Sequence, residues 1–409
     1  MKRFLRTSII IIALGLAVSC SEQKFSSIPS DTCSNLNDTY GDNACVTDPA
    51  TGLNVLSYEV GSCKADILFV VDNSGSMYSE QLELANRFPS LLSAISSLDY
   101  HIAVTTTDVS SSPNNYDPNN VELLARQDGR LIKFPDGKKF LTKSTPNAQS
   151  AFEKTVKREE TIQCEAGDDS ACASDDDRGS YAVNYALNTA QQRGNLGTSS
   201  FFRPDSYLAI VFISDENERS DAGLSTSNSL YKPVHEDTPQ SLIDSVTGVF
   251  GKSKIFSAYP IVIQSRLTYA NQNGDLYDKD DTSCHAQQLA QASTSRPDLI
   301  RYGTWYELLS LGTKGSVDGT SVTDLGGLVP GYADSICKGN YSNTLTEIGK
   351  NIAKYSQTTT KLSCVPEELS VSIGGVKLDS SEYTLNGTQL QWPATCEKVK
   401  VTYKCPTNI

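Results

Sequence analysis

Two rhythms of hydrophobic and polar positions alternate along this chain. Ile67-Leu68-Phe69-Val70-Val71 is an unbroken apolar run, the pattern of a strand covered on both faces in a parallel sheet. After a polar turn, Leu84, Phe88, Leu91, Leu92, Ile95 and Leu98 recur mostly in steps of three and four, which marks one face of a helix. Residues 101–106 read as a second strand, completing a strand–helix–strand unit. The rhythm returns with a helical pattern over 181–192, a strand over 208–213, a helix over 241–250, a strand over 255–263 and a last helix over 345–355. Pro260 inside the fourth strand predicts a bend or a position near a sheet edge. This alternation predicts a doubly wound, mostly parallel, Rossmann-like α/β fold.

Other stretches break the rhythm. Residues 108–146 carry turn signals and short strand-like pieces such as 131–134, and 216–240 are polar and Ser-rich, so both read as surface insertions. Residues 21–62 are rich in Ser, Thr, Asn, Asp and Gly, as in a tether. From Cys364 onward the pattern changes to period two, with a Gly374-Gly375 turn, which predicts a small all-β unit. A unit of that size needs stapling, and Cys364, Cys396 and Cys405 are at hand.

Composition narrows the function. The chain has 409 residues and a formal net charge of −13, so its surface repels phosphate backbones and nucleic acid is not an expected partner. Lys2, Arg3 and Arg6 precede an apolar run over 9–18 that is about half the length of a membrane-spanning helix. Leu16-Ala17-Val18-Ser19-Cys20 then leads small residues into a cysteine. This segment resembles the lipobox of bacterial lipoproteins, which implies cleavage before Cys20 and lipidation of Cys20. Ser21 stands where an inner-membrane retention signal has Asp, so the resemblance implies a cell-envelope protein anchored at the outer membrane. Of the 11 cysteines, ten remain besides Cys20, an even number that suggests disulfides after export. Local closures Cys33–Cys45 and Cys164–Cys172 are candidate pairings. Wide spacings without a Cys-x-x-Cys pair argue against zinc.

The chemically informative stretch is Asp66-Ile67-Leu68-Phe69-Val70-Val71-Asp72-Asn73-Ser74-Gly75-Ser76-Met77. A buried strand ends, and side-chain oxygens follow at alternate positions Asp72, Ser74 and Ser76. In open α/β sheets, ligands sit beyond the carboxyl ends of the strands, and hard oxygen donors there suit Mg²⁺, Mn²⁺ or Ca²⁺. The stretch resembles the D-x-S-x-S motif of the metal-ion-dependent adhesion site (MIDAS) of von Willebrand factor A domains. The resemblance covers roughly residues 63–360. It implies a further metal ligand at the end of a later central strand, where Asp215 stands. It also implies a ligand, usually Thr, in the loop before an intermediate helix. That loop is Asp177-Arg178-Gly179-Ser180 and holds no Thr; Ser180 is the first substitute and Asp177 the second.

Taken together, the expected organisation is a signal peptide at 1–19, a lipidated tether at 20–62, a von Willebrand factor A-type domain at 63–362 and a small β domain at 363–409. The resemblance implies metal-bridged adhesion to a protein partner presenting an acidic side chain, with the membrane met only through the lipid. The alternative is a structural envelope scaffold or assembly factor with a vestigial metal site. No base stands near the metal ligands, no Ser-His-Asp arrangement is present, and Ser74 replaces the second Asp that dehalogenase-type phosphatases need, so an enzyme is not expected. The acidic run around 168–177 matches no EF-hand spacing and reads as a solvated loop; the oxygen-rich run over 271–281, with Gly274, looks more like a calcium loop but is also read as surface. His101, opening a strand, reads as structural.

Overall fold

The computed structural model describes residues 45–60, 63–109, 127–168, 177–218, 235–264, 302–317 and 319–405. Its strands are β1 (Cys45–Thr47), β2 (Asn54–Val60), β3 (Lys64–Val71), β4 (Asp99–Thr106), β5 (Leu141–Thr142), β6 (Tyr207–Ile213), β7 (Phe256–Val262), β8 (Gly315–Val317), β9 (Thr320–Val322), β10 (Asp334–Ser335), β11 (Thr359–Lys361), β12 (Glu368–Ile373), β13 (Val376–Lys377), β14 (Thr384–Asn386), β15 (Gln389–Gln391) and β16 (Val399–Cys405). Its α-helices are α1 (Tyr78–Ala94), α2 (Ala148–Val156), α3 (Glu159–Glu165), α4 (Gly179–Asn188), α5 (Pro239–Phe250), α6 (Thr304–Ser310) and α7 (Ser342–Thr358).

The fold is mixed α/β. A six-stranded sheet in the order β10-β7-β6-β3-β4-β5 forms the middle. All its pairings are parallel except that of the edge strand β5 with β4. The continuous apolar run of β3 is explained by its central place, because alternate side chains enter two different cores. Ile67, Phe69 and Val71 join Leu84, Phe88, Leu91 and Phe152 on one face. Leu68 and Val70 join Ala182, Ala186, Leu242 and Tyr306 on the other. The expected helical face of α1 is therefore the buried one. Phe88 stacks on Phe152 at 3.7 Å between ring centres, and both meet the edge of Phe69.

The helix that follows β3 covers one face and the helix that follows β6 covers the other. The loops leaving these two adjacent strands thus diverge, and a crevice opens between their carboxyl ends. Pro260 lies in β7, next to the two-residue edge strand β10, which pairs only with Ile261 and Val262. The missing N–H is tolerated because the ladder on that side is so short.

Three expectations from the hydrophobic pattern meet a different structure. Residues 131–134 form no regular strand, yet Leu131 and Phe134 are buried and the Ile132 amide donates to the Val104 carbonyl at 2.8 Å. The supposed insertion therefore completes the sheet edge. The described residues of the polar stretch 216–240 include Glu216, Glu218 and Asp237, which are buried, beside His235 and Glu236, which are exposed. Finally, the expected tether over 20–62 contains β1 and β2, which belong to a five-stranded antiparallel sheet in the order β1-β2-β16-β12-β13. Leu56 and Tyr58 point into its core beside Val371, Val399, Val401 and Tyr403. The low apolar content hid these strands because a half-exposed strand needs only alternate apolar residues.

The small β unit is thus assembled from both ends of the described chain around the α/β domain. Cys364–Cys405 closes it, and Cys63–Cys396 ties it to the start of β3. Strands β11, β15 and β14 form a further antiparallel sheet, and the Trp392 indole donates to the Gln357 carbonyl of α7 at 3.0 Å. Cys45, Cys164 and Cys337 are also disulfide-bonded. The candidate pairings Cys33–Cys45 and Cys164–Cys172, like Cys20 and the acidic run 271–281, involve residues outside those described. No described helix is long and apolar enough to cross a membrane.

Candidate metal site

The crevice between β3 and β6 gathers the oxygens expected there. Asp72 directly follows β3 and is fully buried; its amide donates to the Ile213 carbonyl at the end of β6 at 2.9 Å. Its carboxylate accepts the Ser74 amide at 2.8 Å and the Ser214 hydroxyl at 2.7 Å. The first bond folds the loop back on itself, which brings the Ser74 and Ser76 hydroxyls within 3.1 Å of one another. Ser76 faces solvent. Gly75 is required by packing: a Cβ there would stand 2.8 Å from the Cys164 sulfur of α3.

Asp215 follows β6 and is fully buried, and neither carboxylate oxygen meets a hydrogen-bond donor in good geometry. Burial and the nearby Asp72 and Glu80 carboxylates push its pKa up to about 7, an effect that the neighbouring Ser76 hydroxyl partly offsets. Burial raises Asp72 well above the carboxylate range, and the Asp177 carboxyl beside it adds to the rise. Two acidic groups whose ionised forms burial and neighbouring carboxylates disfavour are an arrangement that a cation would relieve.

The fourth element is α4. Ser180 lies in its first turn, and its hydroxyl is buried without a partner. Asp177, expected on a solvated loop, is buried at 2% exposure. Its backbone makes an isolated antiparallel β-bridge with that of Asp108, and its carboxylate accepts the Thr107 hydroxyl at 3.2 Å. The structure places Asp177, the second substitute for the missing Thr, against Asp72. Glu218 accepts the Ser180 and Tyr181 amides at 2.8 and 3.2 Å and so caps α4. Burial and Asp237 raise its pKa. Among the described residues, no three His, Cys, Asp or Glu side chains converge closely enough to hold a metal by themselves. The donor set is instead carboxylates mixed with hydroxyls, which fits a hard divalent ion.

A buried polar network behind the loop had no counterpart in the sequence reading. Gln81 of α1 donates to the Asp72 carbonyl at 2.9 Å and to the Thr161 hydroxyl at 3.0 Å, and accepts the Arg158 amide at 2.9 Å. Thr161 donates to the Asn73 carbonyl at 2.8 Å. Glu160 accepts from the Asn73 amide at 3.0 Å and from Arg158 at 2.8 Å. The partners lie about eighty residues apart in sequence, so no local spacing announces them. His101 is structural as expected: its Nδ1 lies 2.9 Å from the Ser200 carbonyl and its ring stacks on Phe140.

No protein-family model matches the sequence, and no curated protein matches it. Among solved structures, the pilus adhesin of Streptococcus pneumoniae aligns with a TM-score of 0.22 and 10% identity, over 86% of this chain and 58% of that one. The chain spans a little over half the length of that adhesin, and so slight a likeness assigns neither fold family nor function.

Proposed function

We propose that this chain is a lipid-anchored envelope protein whose α/β domain, of the von Willebrand factor A type, binds a protein partner through a divalent metal. Asp72, Ser74, Ser76 and Asp215 would hold the ion, and Ser180 or Asp177 would supply the remaining protein oxygen. A bound ion would supply Lewis acidity suited to an acidic side chain of the partner, and Ser76 is the exposed member of the set. The chain's own part is to hold the loop: the Ser74 amide and the Ser214 hydroxyl fix the Asp72 carboxylate, and Gln81 fixes its carbonyl.

The observation that carries this reading is Asp215. A fully buried carboxylate whose oxygens lack donors, set beside a second buried carboxylate, is costly to maintain unless a cation compensates it. The strand order supports the fold assignment, because β3 and β6 flank the reversal point where doubly wound sheets bind ligands.

The test compares the chain lacking residues 1–19 with its Asp72→Ala variant in EDTA, Mg²⁺, Mn²⁺ and Ca²⁺. A ligand that binds only the native state raises the melting temperature, so at least one ion should stabilise the wild type and not the variant. A short peptide carrying one Glu should then bind in that ion alone, and its Gln counterpart should not. If no ion changes the melting temperature of the wild type, the proposal fails.

A further inference from the structure

Away from the crevice, the flank of the α/β domain holds a cavity of about 290 Å³ between the 127–133 segment and the turn that follows α4. That is near the lower end of small-ligand pockets, roughly 300–1,000 Å³. Four of its lining residues are cationic: Arg130, Lys133, Lys139 and Arg193. Leu131 and Ile132 add apolar atoms to its lining, and none of its described lining residues is acidic. In a chain with a formal net charge of −13, such a gathering of one sign has to be explained.

The walls are built rather than incidental. Lys139 donates to the Arg193 carbonyl at 3.1 Å and to the Asn195 side-chain oxygen at 3.0 Å. Both acceptors are neutral, so the ammonium joins two walls without losing its charge. Arg193 donates to the Asp128 carbonyl at 3.0 Å and lies 5.0 Å from the centre of the Tyr185 ring. The Asp128 carboxylate, behind the cavity, pairs with Arg130 at 3.3 Å. Gly129 presses the segment onto α4, since a Cβ there would stand 2.3 Å from the Ala182 carbonyl. Burial, then Arg193 and Lys133, hold the Lys139 ammonium below its ordinary pKa, so the cavity has a positive field for an anion to relieve.

We propose that this cavity is a binding site for a small organic anion, with a carboxylate or similar group set among Lys133, Lys139, Arg130 and Arg193 and a compact apolar body against Leu131 and Ile132. The ammonium groups supply charge, and the two guanidinium groups supply planar pairs of donors that fit a carboxylate. The apolar part of the lining selects against fully hydrated ions, whose desolvation it would not repay.

The experiment is titration calorimetry on the chain lacking residues 1–19, in EDTA so that the metal site does not contribute. The probes are benzoate, inorganic phosphate and benzylamine. Benzoate should bind with a Kd of about 1 mM, and benzylamine, of similar shape and opposite charge, should not. Lys133 is exposed, so Lys133→Glu leaves packing intact and should weaken benzoate binding at least about tenfold. Lys139→Met should do the same, with an unchanged melting temperature showing that its walls survive. Absence of benzoate binding, or equal binding by wild type and both variants, would overturn the proposal. Phosphate binding as tight as benzoate binding would overturn the apolar part of it, and benzylamine binding would overturn the role of charge.

Discussion

Asp215→Asn separates the metal reading from a merely structural one. The wild-type carboxyl is fully buried and its pKa stands at about 7 rather than 3.8. Ionising it in the folded state at neutral pH therefore costs about 4 kcal/mol relative to the unfolded chain. The amide carries no charge but brings its own buried polar atoms, worth a penalty of about 1–3 kcal/mol where unpaired. In EDTA at pH 7.5 the variant should therefore be more stable than wild type by about 1–3 kcal/mol, a rise of a few degrees in melting temperature. The sign with pH is fixed by the raised pKa: metal-free wild type should gain stability as pH falls from 7 toward 4, because the folded state takes up the proton first. At metal concentrations near a hundred times Kd, wild type should gain about 2.7 kcal/mol, and the variant should gain little. Scanning calorimetry with and without Mg²⁺ or Mn²⁺ reads both effects. A variant that is less stable than wild type in EDTA, or that keeps the full metal response, would refute the reasoning.

Gln81→Leu strips three hydrogen bonds from the buried network behind the site and should cost about 3 kcal/mol in urea unfolding. It should also weaken metal binding about tenfold or more, as loss of a supporting shell does. Replacing Cys63 and Cys396 together by Ser opens a closure spanning 333 residues. It should destabilise the protein by up to about 5 kcal/mol, and calorimetry should then show separate unfolding steps for the β unit and the α/β domain. Tyr207, Tyr259, Tyr306 and Tyr341 are buried, and burial raises each phenol above 10. Stability should be intact below pH 10 and fall as pH climbs above it, with part of the tyrosinate absorbance appearing only on unfolding.

The hydrophobic pattern revealed the central sheet because burial on both faces leaves a strong signature, as in β3 and β6. It also put Asp72, Ser74 and Ser76 just beyond a strand end, and the resemblance to von Willebrand factor A domains pointed to Asp215 beyond another. What it missed depends on distance along the chain. β2 is half exposed and gains its core only from β16, more than 330 residues away. Asp177 stood both as the second choice for a ligand and as one acid in a run read as solvated, and only the packing of α4 beside β4 shows it to be buried. Gln81, Thr161 and Glu160 are ordinary polar residues on helices, and their role comes from α3 closing over the loop. The basic flank escaped notice because Arg130, Lys133, Lys139 and Arg193 are diluted among acids and join only through the turn after α4.

The pairing of β2 with β16 also sets an order of events in the life of the chain. Val60 meets Val399, so an early strand waits for one made more than 330 residues later. At about 5–20 residues per second, synthesis alone separates them by tens of seconds. Through that interval the β1–β2 hairpin has an open edge, and open edges invite pairing with other chains. The α/β domain lies wholly between the two and can form its sheet first, which brings residues 63 and 359 to one side of the molecule. A nascent chain released before Val399 would keep a folded centre with an uncovered strand at its front, whereas a fragment that starts at Cys63 and omits the C-terminal strands would leave no such edge.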